Sequence, residues 1–299
     1  LKAQRMGPGL ALLGGYAAGG DFSARDPQAN TTTWTHADSA VILDRSPEKV
    51  YNVVIDGFQF TGSSTQSAVI IDGADNVTVR NCEFTGNNGG GLYIERGSDV
   101  VVEDSEFHAN NNTLTGTSGS GGALYVWPRI ADTVGPTFRR CEIYNNTITE
   151  ATGNGAGVLI REPINPANPL LFEDCIFRDH SDEAAAVYAG FGTGDLSSNI
   201  GLKFLNCVFE NNDSGSQSGG AFRTSTHEAD IIFEGTDFIN NTAGNRGGAV
   251  YFDTNPTTGG TITFTDCDFV GNTATDGGAI TAARDGCEIV VENSRFASN

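Results

Sequence analysis

The chain has 299 residues, of which 38% are hydrophobic and 39 are glycine. That apolar fraction is low for a compact globule of this size, so the core is expected to be thin and spread along a length. Its 37 acidic against 17 basic residues give a formal charge of −20, which weighs against nucleic acid or an anionic membrane surface as partner, since both need Lys or Arg to neutralise phosphate. No apolar run approaches the ~20 residues that span a bilayer, and dense Gly, Asn, Thr and Ser in place of Leu/Ala/Glu/Lys stretches point to an all-β chain.

The opening "LKAQRMGPGLALLGGY" lacks the charged start, apolar centre and cleavage pattern of a signal peptide. The closing "SRFASN" falls inside a repeat, so both ends are expected to continue in a longer polypeptide that carries any secretion signal or anchor. Residues 1–50 read as irregular N-terminal rungs, with strands at "LALLGGY" and "SAVILDR" joined by a polar loop from Ala17 to Asp38. Residues 51–299 are regular.

The regularity is a unit led by Phe or Ile and followed three residues later by Asn: "CEFTGNN", "SEFHANN", "CEIYNNT", "CIFRDHS", "CVFENND", "TDFINNT", "CDFVGNT" and "SRFASN", with a degenerate first copy "FQFTGSS". It recurs nine times at intervals of 23 to 36 residues, a period that marks stacked supersecondary units. Each period also holds a Gly-led apolar segment such as "GGALYVW" or "GGAVYFD" and an alternating one such as "NVTVR" or "TITFT". Three short strands per period cannot bury their faces alone, but coiled so that each turn stacks on the last they enclose one narrow core. A single-stranded parallel β-helix of about nine to ten rungs is predicted.

Alternation places Phe60, Phe84, Phe107, Ile143, Phe177, Phe209, Phe238, Phe269 and Phe296 in one inward file, with rings at the ~4.8 Å rung spacing. Three residues on, Asn87, Asn110, Asn146, Asn212, Asn241, Asn272 and Asn299 should form an amide ladder, interrupted where His180 replaces Asn. The Gly-Gly-Ala pieces turn the chain into the next strand, with Ala123, Ala221, Ala249 and Ala279 small and inward. Length variation is confined to the loops around that strand, including the Pro-containing stretches 127–136, 161–170 and 253–260.

"FINNTAGNRGGAVYF" and "FVGNTATDGGAI" resemble the paired FxxN and GGA-I/V/L repeats of the chlamydial polymorphic outer membrane proteins and of bacterial right-handed parallel β-helix repeat proteins more widely. "LLGGYAAGGDFSARDPQANTTTW" is similar to a segment near the start of such helices. The resemblance covers roughly residues 10 to 299 and implies a right-handed helix, secreted or displayed at the cell surface, in an adhesive or stalk role. Its shared motif residues are structural.

Candidate chemistry is sparse. Cys82, Cys141, Cys175, Cys207 and Cys267 share one column, two before the Phe file, and read as buried free thiols, while Cys287 sits at a turn. Outward of that file Glu83, Glu106 and Glu142 follow one another on consecutive rungs. A bridging Ca²⁺ is the metal reading of that column and a solvated acidic face with splayed side chains is the simpler one. Arg80, Glu103, Arg139 and Glu173 alternate in sign as a surface ion-pair ladder. The run Asp179, His180, Asp182, Glu183 offers an acid/base or metal group, against the plainer reading of an exposed loop. Asn30, Asn76, Asn111, Asn145, Asn212 and Asn240 head N-x-S/T sequons of the kind an Asn/Thr-rich repeat produces by chance.

The expectation is a non-catalytic structural or adhesive segment of a larger extracellular protein, with no required cofactor. Its partners would be copies of itself stacked end to end into filaments, or a host or cell-surface glycan or protein. A polysaccharide lyase or glycoside hydrolase on the same fold is the first alternative, marked by adjacent-rung carboxylates and aromatic platforms in a groove. A glycan- or Ca²⁺-binding module without turnover is the second.

Overall fold

The computed structural model describes residues 9–18, 24–44, 50–113, 121–128, 134–149, 155–161, 167–181, 184–190, 200–225, 229–253, 261–283 and 288–299. Its strands are all parallel and stack in three long sheets of ten, ten and nine strands, each strand pairing with its counterpart one rung away. The first sheet runs from Leu10–Leu13 to Glu288–Glu292, the second from Thr32–Thr35 to Arg295–Ala297, and the third from Val41–Asp44 to Ile280–Ala282. Ten rungs result, the tenth having only its first two strands among the described residues. Two short extra pairs, Asn111–Asn112 with Thr147–Ile148 and Thr242–Arg246 with Thr273–Asp276, follow the Asn turn.

The corner from first to second sheet is made by one residue in the left-handed region: Asn81, Asp104, Arg140, Asp174, Asn206, Gly235, Asp266 and Asn293 all have φ between 49° and 59°. Short polar residues tolerate that conformation best, which is why Asn and Asp dominate the position. The next residue is the cysteine column. Each Sγ donates to the carbonyl two residues back and to one on the previous rung, as Cys207 does to Leu205 O and Phe172 O at 3.4 and 3.5 Å. Thr236 Oγ1 repeats the pattern with Glu234 O and Phe204 O, so the column selects a small side chain with a donor. The five described cysteines are free and buried, while Cys287 lies outside the described residues.

The predicted Phe file is continuous in register, and Trp34 extends it by a rung through its pairing with Phe60. Thr32–Thr35 is therefore a strand inside the segment from Ala17 to Asp38 that the sequence reads as loop. Phe177 and Phe209 stack with centroids 4.5 Å apart and planes 8° apart. A second file, Phe138, Phe172, Phe204, Phe233 and Phe264, rises in the first sheet and meets the other edge-on, as in Phe172–Phe177 at 5.3 Å and 75°. Offset stacks and edge contacts of this kind add about 0.5–1.5 kcal/mol per pair beyond burial.

The ladder forms as expected. Asn212 Nδ2 donates to Phe177 O (3.0 Å) and to Asn241 Oδ1 (2.8 Å), and Asn241 Oδ1 also accepts the Asn212 backbone N–H (3.1 Å). At the following Gly-Gly, Gly247 has φ +60°, and a Cβ on Gly248 would collide with Gly278 O on the next rung. One glycine supplies the turn and the other the close approach.

Candidate functional site

His180 corrects the exposed-loop reading of its run: it is fully buried. Its Nδ1 accepts the Asn146 backbone N–H at 3.2 Å, and its own N–H donates to Asn212 Oδ1 at 3.3 Å. The backbone half of the ladder thus continues through this rung while the amide-to-amide link to Asn146 is lost. Nε2 is buried without a hydrogen-bond partner, and burial pushes the imidazole down to about 4. A Cβ on Gly157 would lie 2.7 Å from Nε2, so the imidazole fits because that corner has glycine where seven other rungs have alanine, among them Ala123, Ala186, Ala221, Ala249 and Ala279. Asp182 and Glu183 lie outside the described residues.

On the outer face of the second sheet, Glu83, Glu106 and Glu142 stand in register on consecutive rungs. Each carboxylate has its own partner, in every case from the following rung. His108 Nε2 lies 2.8 Å from Glu83, Tyr144 Oη donates to Glu106 at 3.1 Å, and Arg178 lies 3.2 Å from Glu142. Gln59 Nε2 also donates to Glu83 at 2.8 Å. The His108 and Tyr144 rings stack 4.8 Å apart, and the Arg178 guanidinium sits 4.2 Å above Tyr144. Burial and the neighbouring Glu106 push the Tyr144 phenol up to about 12. Donors from the next rung do for these carboxylates what a bridging Ca²⁺ would do, and among the described residues no group of three or more His, Cys, Asp or Glu is placed to hold a metal ion.

A cleft of about 300 Å³ opens beside this face, lined among others by Pro27, Phe58, Gln59, Glu83, Asp104 and Glu106. One wall is the 24–31 segment, clamped by Arg25, whose Nε donates to Gly14 O at 2.6 Å and whose Nη2 meets the buried Asp56 at 2.6 Å. Burial alone would raise the Asp56 carboxyl, but hydrogen bonds from Arg25, Asn81 and Arg80 outweigh it and hold the carboxyl below its ordinary value. The predicted ion-pair ladder is realised in part: Arg139 binds Glu173 at 2.8 Å, Arg80 turns to Asp56 at 2.8 Å, and Glu103 is met by Arg140 at 3.3 Å.

The outer face of the third sheet is different in kind. Inward residues such as Leu124, Val126, Val187 and Phe222 join the core, while the outward file runs Ile70, Tyr93, Tyr125, Leu159, Tyr188, Arg223, Tyr251 and Thr281. Trp127 stands beside it, 6.0 Å from Tyr125, and Tyr93 lies 4.9 Å from Tyr125. Tyr93, Trp127, Tyr188 and Arg223 are half-buried, Tyr125 and Tyr251 buried. Solvated outer faces of solenoid sheets need no such residues; aromatic rings with polar tips are suited to a surface that is apolar on one side and wet on the other. Long connections lead into and out of this sheet, His108 to Leu124 and Tyr144 to Val158 before it, Trp127 to Thr137 and Arg161 to Leu170 after it. Sequence reasoning located those loops but missed the face between them. The signal was Tyr recurring in "LYIE", "LYVW", "VYAG" and "VYFD".

A stacked, three-sheet parallel helix with these surfaces is a right-handed β-helix protein. The family model for the right-handed β-helix region matches residues 29–296, and the chain belongs to that family. No curated protein matches the chain in sequence. Among solved structures it is similar to tailspike protein gp49 of the Acinetobacter baumannii bacteriophage Fri1, described as a capsular polysaccharide depolymerase. The identity is 16% and the TM-score 0.54, over 88% of this chain and 43% of that one. It is also similar to the gp42 tailspike of Acinetobacter phage vb_AbaP_AS12, at 10% identity and TM-score 0.39, over 87% of this chain and 48% of that one. The chain thus spans less than half the length of either, and the likeness is one of fold. Among the described residues no helix is long and apolar enough to cross a membrane.

Proposed function

We propose that this chain is a glycan-binding, adhesive segment of a larger secreted or surface-displayed protein, and that sugars bind across the outer face of the third sheet. The observation that carries the reading is the set of half-buried rings on this face, Tyr93 and Tyr188 of the outward file with Trp127 at its side, Tyr125 and Tyr251 of the same file being buried. Rings held on a rigid sheet give flat apolar platforms for sugar faces, and the Tyr93 and Tyr188 hydroxyls supply hydrogen bonds. The resemblance of the repeats to surface-displayed β-helix proteins agrees with this location, and the Fri1 tailspike is a protein of the same fold that acts on a capsular polysaccharide.

Turnover is the second reading, favoured by Glu83 and Glu106 on adjacent rungs at the cleft, with His108 on Glu83. In-register carboxylates at roughly the rung spacing of 4.8 Å lie near the ~5–5.5 Å separation of a retaining glycosidase. Affinity electrophoresis through acidic and neutral polysaccharides, with a reducing-end assay on the same polymers, separates the two. Retention without new reducing ends is expected. New reducing ends that vanish in Glu83→Gln would replace adhesion with hydrolysis, and absence of retention on every polymer would refute glycan binding.

A further inference from the structure

The described residues include nine cations, from Arg25 to Arg295, that each lie within 4.0 Å of a carboxylate. Among the described residues Arg161 and Arg223 have no such partner, and both belong to the third sheet. In a chain of charge −20 carboxylates are plentiful, so two half-buried guanidiniums left without one stand against the prevailing field.

Arg223 is positioned without being neutralised. Its guanidinium lies 5.7 Å from the ring centres of both Tyr188 and Tyr251, one rung to either side. Nη1 donates to the neutral Gln217 Oε1 at 3.2 Å. Nε is buried with no acceptor. A guanidinium has five donors in a rigid plane, and here one is used to orient it while another is withheld from water with nothing to bond. Arg161 comes two rungs earlier and two residues further along its strand than the column of Leu159, Tyr188 and Arg223; it pairs in register with Gly190, over which the Tyr188 ring lies. The two arginines are therefore about 10 Å apart along the helix axis, at ~4.8 Å per rung, with the Tyr188 ring between them.

We infer that Arg223 and Arg161 form an oxyanion site for an acidic polysaccharide, so that the glycan bound by this face is one bearing carboxylate or sulfate groups. A ring oxyanion takes the fork of Arg223 in a charge-assisted, bidentate pair, the sugar lies on Tyr188, and a second acidic group reaches Arg161. The inference rests on the glycan reading above and adds the charge class. Repulsion from the rest of the chain is long-ranged and screened within ~8 Å at physiological salt, whereas the two arginines act at contact.

The test is affinity electrophoresis of the protein through polygalacturonate, dextran sulfate and neutral dextran, with Arg223→Met, Arg161→Met and Arg223→Lys alongside. Met keeps the apolar stem and removes the charge. Retention on polygalacturonate or dextran sulfate is expected, the choice between them telling carboxylate from sulfate, with little on dextran. Loss of one charge-assisted pair should weaken it about tenfold or more in Arg223→Met, and Arg223→Lys should recover only part because it lacks the fork. Melting temperatures should stay close to the parent's, showing that the variants fold. Acidic-polymer retention unchanged in both Met variants would overturn the inference. Retention on dextran alone would overturn it and leave glycan binding standing, and no retention on any polymer would remove both.

Discussion

The second and third sheets are both built from strands of three or four residues and differ in what surrounds them. From the third rung on, the second sheet is entered through a two-residue corner, and its inward positions repeat those of the rung above, Phe on Phe and Asn on Asn, except at Ile143 and His180. The third sheet keeps only its inward Val, Leu and Phe in file, while its connections vary from Glu95–Ser98 to His108–Leu124 and its outer face collects tyrosine, tryptophan and arginine. A column that must stack cannot vary without disturbing its neighbours. What the repeat leaves free is available for function, and that freedom lies on the third sheet.

If this contrast holds, substitutions in the second sheet should cost stability and those on the third-sheet face should cost binding. Phe209 is fully buried and touches Phe177, Phe204, Phe233 and Phe238, so Phe209→Ala should destabilise the chain by about 4 kcal/mol through lost burial and a cavity. Chemical denaturation would show it. Asn241→Ala removes donors to Phe209 O and Asn272 Oδ1 and the acceptor of two Asn212 groups. The stranded buried groups should cost about 3 kcal/mol, with hydrogen exchange rising first at Asn212 and Asn272.

His180 gives a pH-dependent version of the same test. Burial lowers its folded-state value to about 4 from the ordinary 6.5, Asp179 opposing and Arg178 adding to that shift. The unfolded chain therefore takes up the proton first as the pH falls. Its contribution is full above about 6.5 and drains as the pH drops toward about 4, a loss of roughly 3 kcal/mol. His180→Asn should flatten that part of the profile and restore the amide link. Gly157→Ala should be strongly destabilising in the parent, where the new Cβ meets Nε2 at 2.7 Å, and tolerated beside His180→Asn; equal cost in both backgrounds would reject the size match. The smallest effect belongs to Cys207→Ser. Ser105 and Thr236 already fill that column with the same donor geometry, so urea midpoints should move by less than the ~1 kcal/mol typical of a core change. Burial pushes the Cys207 thiol up, and Cys82 and Cys267 up to about 11, so slow alkylation of the folded protein at neutral pH should accompany that tolerance.

The second sheet was legible because its rule, Phe and then Asn three residues on, is written six times in full and three times with one member changed. Trp34 escaped because "TTWT" lacks the Asn that marks the other copies. The five-ring file from Phe138 to Phe264 escaped because its column opens with Ile55, Val79 and Val102, although four of the five rings lie three residues before a column cysteine, as Phe138 does before Cys141. His180 was misread from its charged neighbours, although its place in the Asn column already put it inside. Partners of Glu83, Glu106 and Glu142 come from residues two positions further along the next rung, a diagonal that a column-by-column reading does not cross. The aromatic face was visible only once alternation had been followed outward as well as inward.

One comparison bears most directly on the assignment of function to the third sheet. Binding to a retained polysaccharide should be measured for the parent, for the third-sheet variant Trp127→Ala/Tyr188→Ala, and for the second-sheet variant Glu83→Gln/Glu106→Gln, with melting curves of each. The third-sheet variant should lose retention while melting near the parent, and the second-sheet variant should bind as the parent does. Retention kept by the former and lost by the latter would place the glycan site at the acidic cleft instead and contradict this account.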